Sequence, residues 1–280
     1  MSNPWKAFGR GCLNLVLVIV AIAVAQPLLH RIHASQVVGV SVITLFVVVV
    51  YLAASKWIER RPLDEFQTNR MLPEGVAGLI LGFVLFSVVM AILWTLSVYH
   101  PGGRGTTHGL AIGLMLALCS GVMEEILFRG LLFRVSAKVL GTWGALLLTA
   151  VFFGAAHAFN PGATFSSSLA IALEAGILLG AAYAATTRLW LPIGLHIAWN
   201  FTEGPVYGMS VSGGTMGGDL LRGSINGPRI LTGGQFGPEA SIVAVLVCLV
   251  AALYFILRIV KLRRAEPPVW SKSAAPTSVP

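Results

Sequence analysis

Charge is what this sequence has least of. Only 11% of its 280 residues are Asp, Glu, Lys or Arg, against about 25% in an ordinary soluble domain, while 56% are hydrophobic. Cysteine is also scarce. Cys12, Cys119 and Cys248 stand far apart in apolar runs without ligand spacing, so they read as small buried apolar residues and exclude a disulfide framework. No ten-residue blocks alternate with period two, which argues against a β-barrel. There is no HExxH, no GxSxG, and no cysteine beside a histidine, so the familiar zinc-protease and nucleophile signatures are missing. The first apolar run is too long for a signal-peptide core, and no A-x-A-like cleavage site follows it.

What is present is a series of apolar runs, many near the length of about 20 residues that spans a bilayer. They predict an all-α, polytopic membrane helix bundle of about eight transmembrane helices, at roughly 11–29, 37–55, 76–98, 110 onward, 142–159, 169–187, 193–201 and 241–260. The run at 193–201 is too short to cross unaided and reads as extended or re-entrant. Between the second and third runs, residues 56–75 read as an interfacial helix or a solvated loop. HPGGRGTTHG at 100–109 reads as a turn, and residues 202–239, with eleven glycines, as a long loop outside the cytoplasm. Residues 1–265 then form one membrane-embedded domain, and 266–280 a disordered cytoplasmic tail.

The net charge of +8 is a topology signal, not a nucleic-acid footprint. With eight spans, fifteen Lys and Arg residues fall on the side of the termini and four, Arg31, Arg104, Arg222 and Arg229, on the other. Both termini are therefore expected in the cytoplasm, and Arg129, Arg134 and Lys138 are expected to mark the cytosolic end of the fourth span, with the site opening toward that side.

Ionisable side chains inside lipid are costly and usually have a job. Glu124, Glu125, Arg129, His157, Glu174, His196 and Asn200 all sit in predicted spans. Glu125 and Arg129 are four apart, share a helix face and can pair. Glu124 points about 100° away from Glu125, without the arginine as a same-face partner, and is free to face a cavity. His196 and Asn200 also share a face, as do Phe153 and His157. Glu174 reads as pairing or lining the cavity, and Glu203 and Glu239 as interfacial residues at span ends. One carboxylate, two imidazoles and an amide make a hydrolase toolkit: a base for water, and donors for a developing oxyanion. Spacing alone does not divide those tasks between the two histidines.

Three motifs give the set a family resemblance. EEILFR at 124–129, FGAAH at 153–157 and HIAWN at 196–200 fit the ordered pattern EExxxR, FxxxH, HxxxN. The chain thereby resembles the CAAX protease and bacteriocin-processing (Abi) family of intramembrane glutamic endopeptidases, over about residues 110–201. The segment TGGQFGPEAS at 232–241 is similar to a bacterial subgroup. The resemblance implies an endopeptidase acting on membrane-associated or lipidated proteins or peptides, in a bacterial plasma membrane. It implies that Glu124 activates water with His157, that His196 and Asn200 form the oxyanion hole, and that Glu125 and Arg129 support the site. No cofactor is expected. A zinc held by Glu124, His157 and His196 is the lesser alternative. The competing functions are an ion- or proton-coupled transporter using the same carboxylates, and a non-catalytic immunity or scaffold protein. The absence of an internal repeat disfavours the transporter.

Overall fold

Apolar runs become helices in lipid because the backbone must satisfy its own N–H and C=O groups there. The computed structural model of the chain describes residues 4–31 and 35–272. Its helices are α1 (Pro4–Arg31), α2 (Gln36–Ala54), α3 (Thr68–Thr95), α4 (Leu110–Glu125), α5 (Arg134–Ala156), α6 (Phe165–Ile171), α7 (Ile177–Thr186), α8 (Trp190–Phe201), the short α9 (Arg229–Thr232), α10 (Ile242–Lys261) and the short α11 (Val269–Lys272). Several continue without a break through π-helical turns: Ser55–Glu59 after α2, Ile126–Phe133 after α4, Ala172–Gly176 after α6 and Thr202–Val206 after α8.

Counted as continuous rods, six helices among the described residues are long and apolar enough to cross a membrane. The sequence predicts about eight, and the difference has two sources. Leu110–Phe159 is a single helical stretch of 50 residues, but Gly141, at φ 69 and ψ 179, folds it into two legs. Only glycine takes that backbone conformation without strain. The other source is α8, which with its π turn covers only residues 190–206.

The tail closes over the Gly141 turn. Thr142 N donates to the Glu266 carbonyl and Glu266 N donates to Thr142 Oγ1. These bonds hold the start of the tail, expected to be disordered from 266, at Glu266, and the chain is described as far as Lys272; residues 273–280 lie outside the described residues.

Packing of α8 against α3 depends on small residues. A Cβ at Gly78 or Gly82 would overlap the carbonyl oxygens of Leu191 and Leu195, and one at Gly194 would overlap that of Gly75. Close backbone approach of this kind replaces the hydrophobic drive that lipid cannot supply.

Two loops are not loops. Tyr99–Thr106 forms β1, which pairs antiparallel with β2, Asp219–Ile225, from Tyr99 opposite Ile225 to Thr106 opposite Asp219. The expected turn and part of the expected glycine-rich loop are therefore one hairpin-like ribbon at the end of the bundle where α4 begins. Its partners lie more than a hundred residues apart, so local spacing carries no sign of it.

Residues 56–75 are largely exposed, but Glu59 and Glu65 turn inward and Thr68 already begins α3. Glu59 accepts from Asn14 Nδ2 at 2.7 Å and from both terminal nitrogens of Arg134 at 2.7 Å. Arg61 donates to both Glu65 oxygens at 2.8 Å and to Tyr51 at 2.8 Å, and Tyr51 donates in turn to Glu65. Glu59 and Glu65 are buried by this network, which ties α1, α2 and the start of α5 together.

Candidate active site

Each π turn among the described residues carries a buried ionisable side chain: Glu59, Arg129, Glu174 and Glu203. A π turn frees carbonyls that an α-helix would use, and buried donors find them. Arg129 is 0% exposed. Its Nη1 donates to Glu125 Oε1 at 2.8 Å, and its Nη2 to the carbonyls of Ala175, at 3.0 Å, and Gly176, at 3.3 Å. The guanidinium lies over the Phe153 ring, 4.7 Å from its centre. The arginine thus joins three legs of the bundle. Its charge suggests a place at the cytosolic boundary. Instead, the helix runs on another eleven residues to Leu140, and the residue is sealed inside.

Glu125 has a second partner that spacing does not suggest. His196 Nδ1 lies 2.9 Å from Glu125 Oε1 and must donate, because a carboxylate only accepts. Its Nε2 then turns toward Glu124, 3.9 Å from Oε2. His157 is set in a similar way: its Nδ1 donates to the Phe153 carbonyl at 2.8 Å, and its Nε2 also lies 3.9 Å from Glu124 Oε2. One oxygen of Glu124 therefore faces both imidazoles at a distance too long for a direct hydrogen bond and suited to a bridging water. That oxygen is buried and has no hydrogen-bond partner. Asn200 Nδ2 donates to Ser120 Oγ at 3.0 Å, which places the amide on the α4 side of the group.

Equal heights bring Glu124 and His157 together. Glu124 lies seventeen residues before Gly141 and His157 sixteen after it, each about 25 Å along its leg at 1.5 Å per residue. Phe153, on the face of His157, packs edge-on against Phe128 with centroids 4.8 Å apart, walling the site from that side.

A cavity of ≈ 20 Å³ for water centres adjoins the group, room for about one water molecule. His157, His196, Asn200, Glu174, Ser212 and Glu239 supply its polar lining. Glu124 is not among the lining residues and reaches the cavity across the two Nε2 atoms. Glu174 lines the cavity, one of the two roles its position leaves open. Glu203 and Glu239 are not interfacial. Both are buried, because the two ends of the segment 202–241 turn into the bundle while β2 between them stays at its end. Glu239 Oε1 accepts from Ser212 N at 2.6 Å and from Ser212 Oγ at 2.8 Å. The eleven glycines of this segment are the available sign that it turns tightly enough to enter. Among the described residues, no group of three or more His, Cys, Asp or Glu side chains is arranged to hold a metal ion.

The family model for Rce1-like proteins, described as "Type II CAAX prenyl endopeptidase Rce1-like", matches residues 106–202. The chain carries an Rce1-like domain. The matched segment begins at the end of β1 and closes just after Asn200, so it contains every residue of the three motifs. The match supports, at the level of that family, an endopeptidase of the CAAX type, and the six long apolar helices among the described residues support a multi-pass membrane protein. Comparison with curated proteins and with solved structures returned no match.

Proposed function

We propose that the chain is an intramembrane glutamic endopeptidase that cleaves membrane-associated or lipidated proteins or peptides. The observation that carries this reading is the placement of one Glu124 oxygen 3.9 Å from the Nε2 of both His157 and His196. With Nδ1–H bound to the Phe153 carbonyl, neutral His157 offers Nε2 as an acceptor. A water between it and Glu124 would donate to both, and Glu124 takes the proton as the water oxygen attacks the scissile carbonyl. His196 has the opposite setting. Its Nδ1–H points at the Glu125 carboxylate, and with a proton on Nε2 as well the ring donates to the forming oxyanion. Asn200 supplies a second amide donor when it leaves or shares Ser120. Glu125 and Arg129 hold this arrangement from behind. The site needs no metal for these steps, and the substrate enters from the lipid bilayer or its surface. The positive residues favour both termini in the cytoplasm of a bacterial cell, with the domain in the plasma membrane.

The test is cleavage of a membrane-anchored peptide library by purified protein, wild type against Glu124→Gln. Loss of a general base is expected to lower turnover by roughly 10²–10⁴-fold with thermal stability near wild type. A Glu124→Gln protein with full turnover would remove Glu124 from the mechanism. A wild type that cleaves nothing but moves protons or ions across liposomes would favour the transporter.

A further inference from the structure

The cavity has a second acidic wall that the steps above do not use. Its lining also holds Glu174, from the π turn after α6, and Glu239, three residues before α10. Beside Glu239 lies Glu203, whose Oε1 accepts from Glu239 N at 3.2 Å. All three are buried, and none makes an ion pair with lysine or arginine within hydrogen-bond reach among the described residues. Glu203 Oε2 is fully enclosed and lacks a conventional donor.

Buried carboxyls without a cation persist by holding protons, and two in contact share one. The titratable groups that act on Glu239 are Glu203 from the turn after α8, Glu174 from the turn after α6 and His157 from the end of α5, while Arg229 of the packed α9 is turned to Thr164. The α10 thiol of Cys248 lies against Glu174. Burial pushes the Glu239 carboxyl above the usual carboxylate range. Ser212 occupies Oε1 with two donors, so a proton carried by Glu239 belongs on Oε2.

We propose that Glu239 is a second catalytic carboxyl, the acid that protonates the leaving amine, with Glu203 and Glu174 as the buried neighbours that keep it protonated between turnovers. The inference rests on the endopeptidase reading and completes its proton balance. Glu124 takes one proton from water as the C–O bond forms. When the C–N bond breaks, its electron pair goes to nitrogen, which takes the Oε2 proton of Glu239. Glu124 is then protonated and Glu239 ionised, and the proton returns between them by way of His157 Nε2, which lies 3.9 Å from Glu124 on a ring that lines the cavity together with Glu239. The enzyme ends as it began, and the products are an acid and an amine.

An acid for the leaving group is needed far more by an amide than by an activated ester. The test compares Glu239→Gln with wild type on two substrates sharing one membrane-anchored acyl sequence, a peptide amide and an aryl ester. The side-chain carbonyl of the Glu239→Gln variant still accepts from Ser212, so the loop is retained. The amide rate is expected to fall by roughly 10²–10⁴-fold while the ester rate stays within about threefold, and the alkaline limb of the amide kcat/KM profile should shift to the one that His196 alone imposes. Because the amide-to-ester ratio is taken within one preparation, it is independent of how much protein folds. Glu203→Gln is the second variant, expected to move the alkaline limb and leave the ester unchanged. Equal losses on both substrates, or an unchanged amide rate, would overturn the assignment. A wild type that cleaves neither substrate would defeat the endopeptidase reading and this assignment with it.

Discussion

Arg129 and Phe153 stack in the centre of the bundle, with the guanidinium carbon 4.7 Å from the ring centre and the arginine wholly shielded from solvent. The same arginine pairs with Glu125 and takes two carbonyls from the π turn at 172–176. Arg129→Ala would leave the Glu125 carboxylate buried beside a single histidine. Removing one partner of a buried pair costs about 3–5 kcal/mol, so this variant should lose folded protein as well as activity. Replacing Glu125 and Arg129 together by Leu and Met should recover much of the fold and none of the activity, because His196 loses the acceptor for Nδ1. Thermal unfolding in detergent of the two variants checks this. A normally stable Arg129→Ala protein would sink the idea that the pair locks the bundle.

Much of this site is legible in the sequence because helix spacing is a local rule. Glu125 and Arg129 at i, i+4 pair as their spacing predicts, and Glu124 turns to the other face. The contact between Glu125 and His196 is not legible, since it joins residues 71 apart that meet only after Gly141 reverses the chain. Glu203 and Glu239 mislead for a related reason. A carboxylate at a span end is normally interfacial, and only the folded segment 202–241, with Phe236 buried and its carbonyl accepting from Gly213 N, carries them inside. The ribbon of β1 and β2 depends on pairing between two loops, which no single-stretch pattern encodes.

Acid should loosen the opposite end of the bundle through Glu65. Burial alone would raise its pKa, but hydrogen bonds and charge from Arg61, with the Tyr51 hydroxyl, outweigh it and hold the carboxyl below the ordinary range. A group with a depressed folded pKa contributes stability above its unfolded pKa, near 4.3 for glutamate, and loses that contribution as the pH falls toward the folded value. The melting temperature of wild type should therefore exceed that of Glu65→Gln at pH 7, and the gap should narrow steadily below about pH 4. A gap that is constant from pH 7 to pH 3 would mean that Glu65 does not ionise in the fold.

Zinc is a direct test of the donor assignments. Glu124 Oε2 sits 3.9 Å from each Nε2, and Asn200 is engaged by Ser120, which suits a bridging water and an oxyanion donor. Peptidase activity is expected to survive exhaustive chelation. If activity disappears with stoichiometric zinc and returns when zinc is restored, Glu124, His157 and His196 become ligands and the water-activation scheme fails.

The height of the site decides the side from which it is reached. The positive residues favour the Gly141 end as cytoplasmic, and charge alone would put the opening there as well. In the structure Glu124 and His157 stand about 25 Å along their legs from Gly141. Ser212 and Glu239 reach the cavity from the segment 202–241, at the end where β1 and β2 pair. The cavity is therefore expected to communicate with the side away from the termini. In a background with Cys12, Cys119 and Cys248 replaced, single cysteines at Pro161, Ser212 and Arg263 can be probed in sealed vesicles with a membrane-impermeant thiol reagent. Pro161 and Arg263 are both exposed, one just past His157 and the other just past α10. Cysteines at 161 and 212 should react from one side and a cysteine at 263 from the other. Reaction of all three from the same side would overturn the two-ended topology. Reaction of 212 from the side of 263 alone would return the opening to the cytoplasmic end.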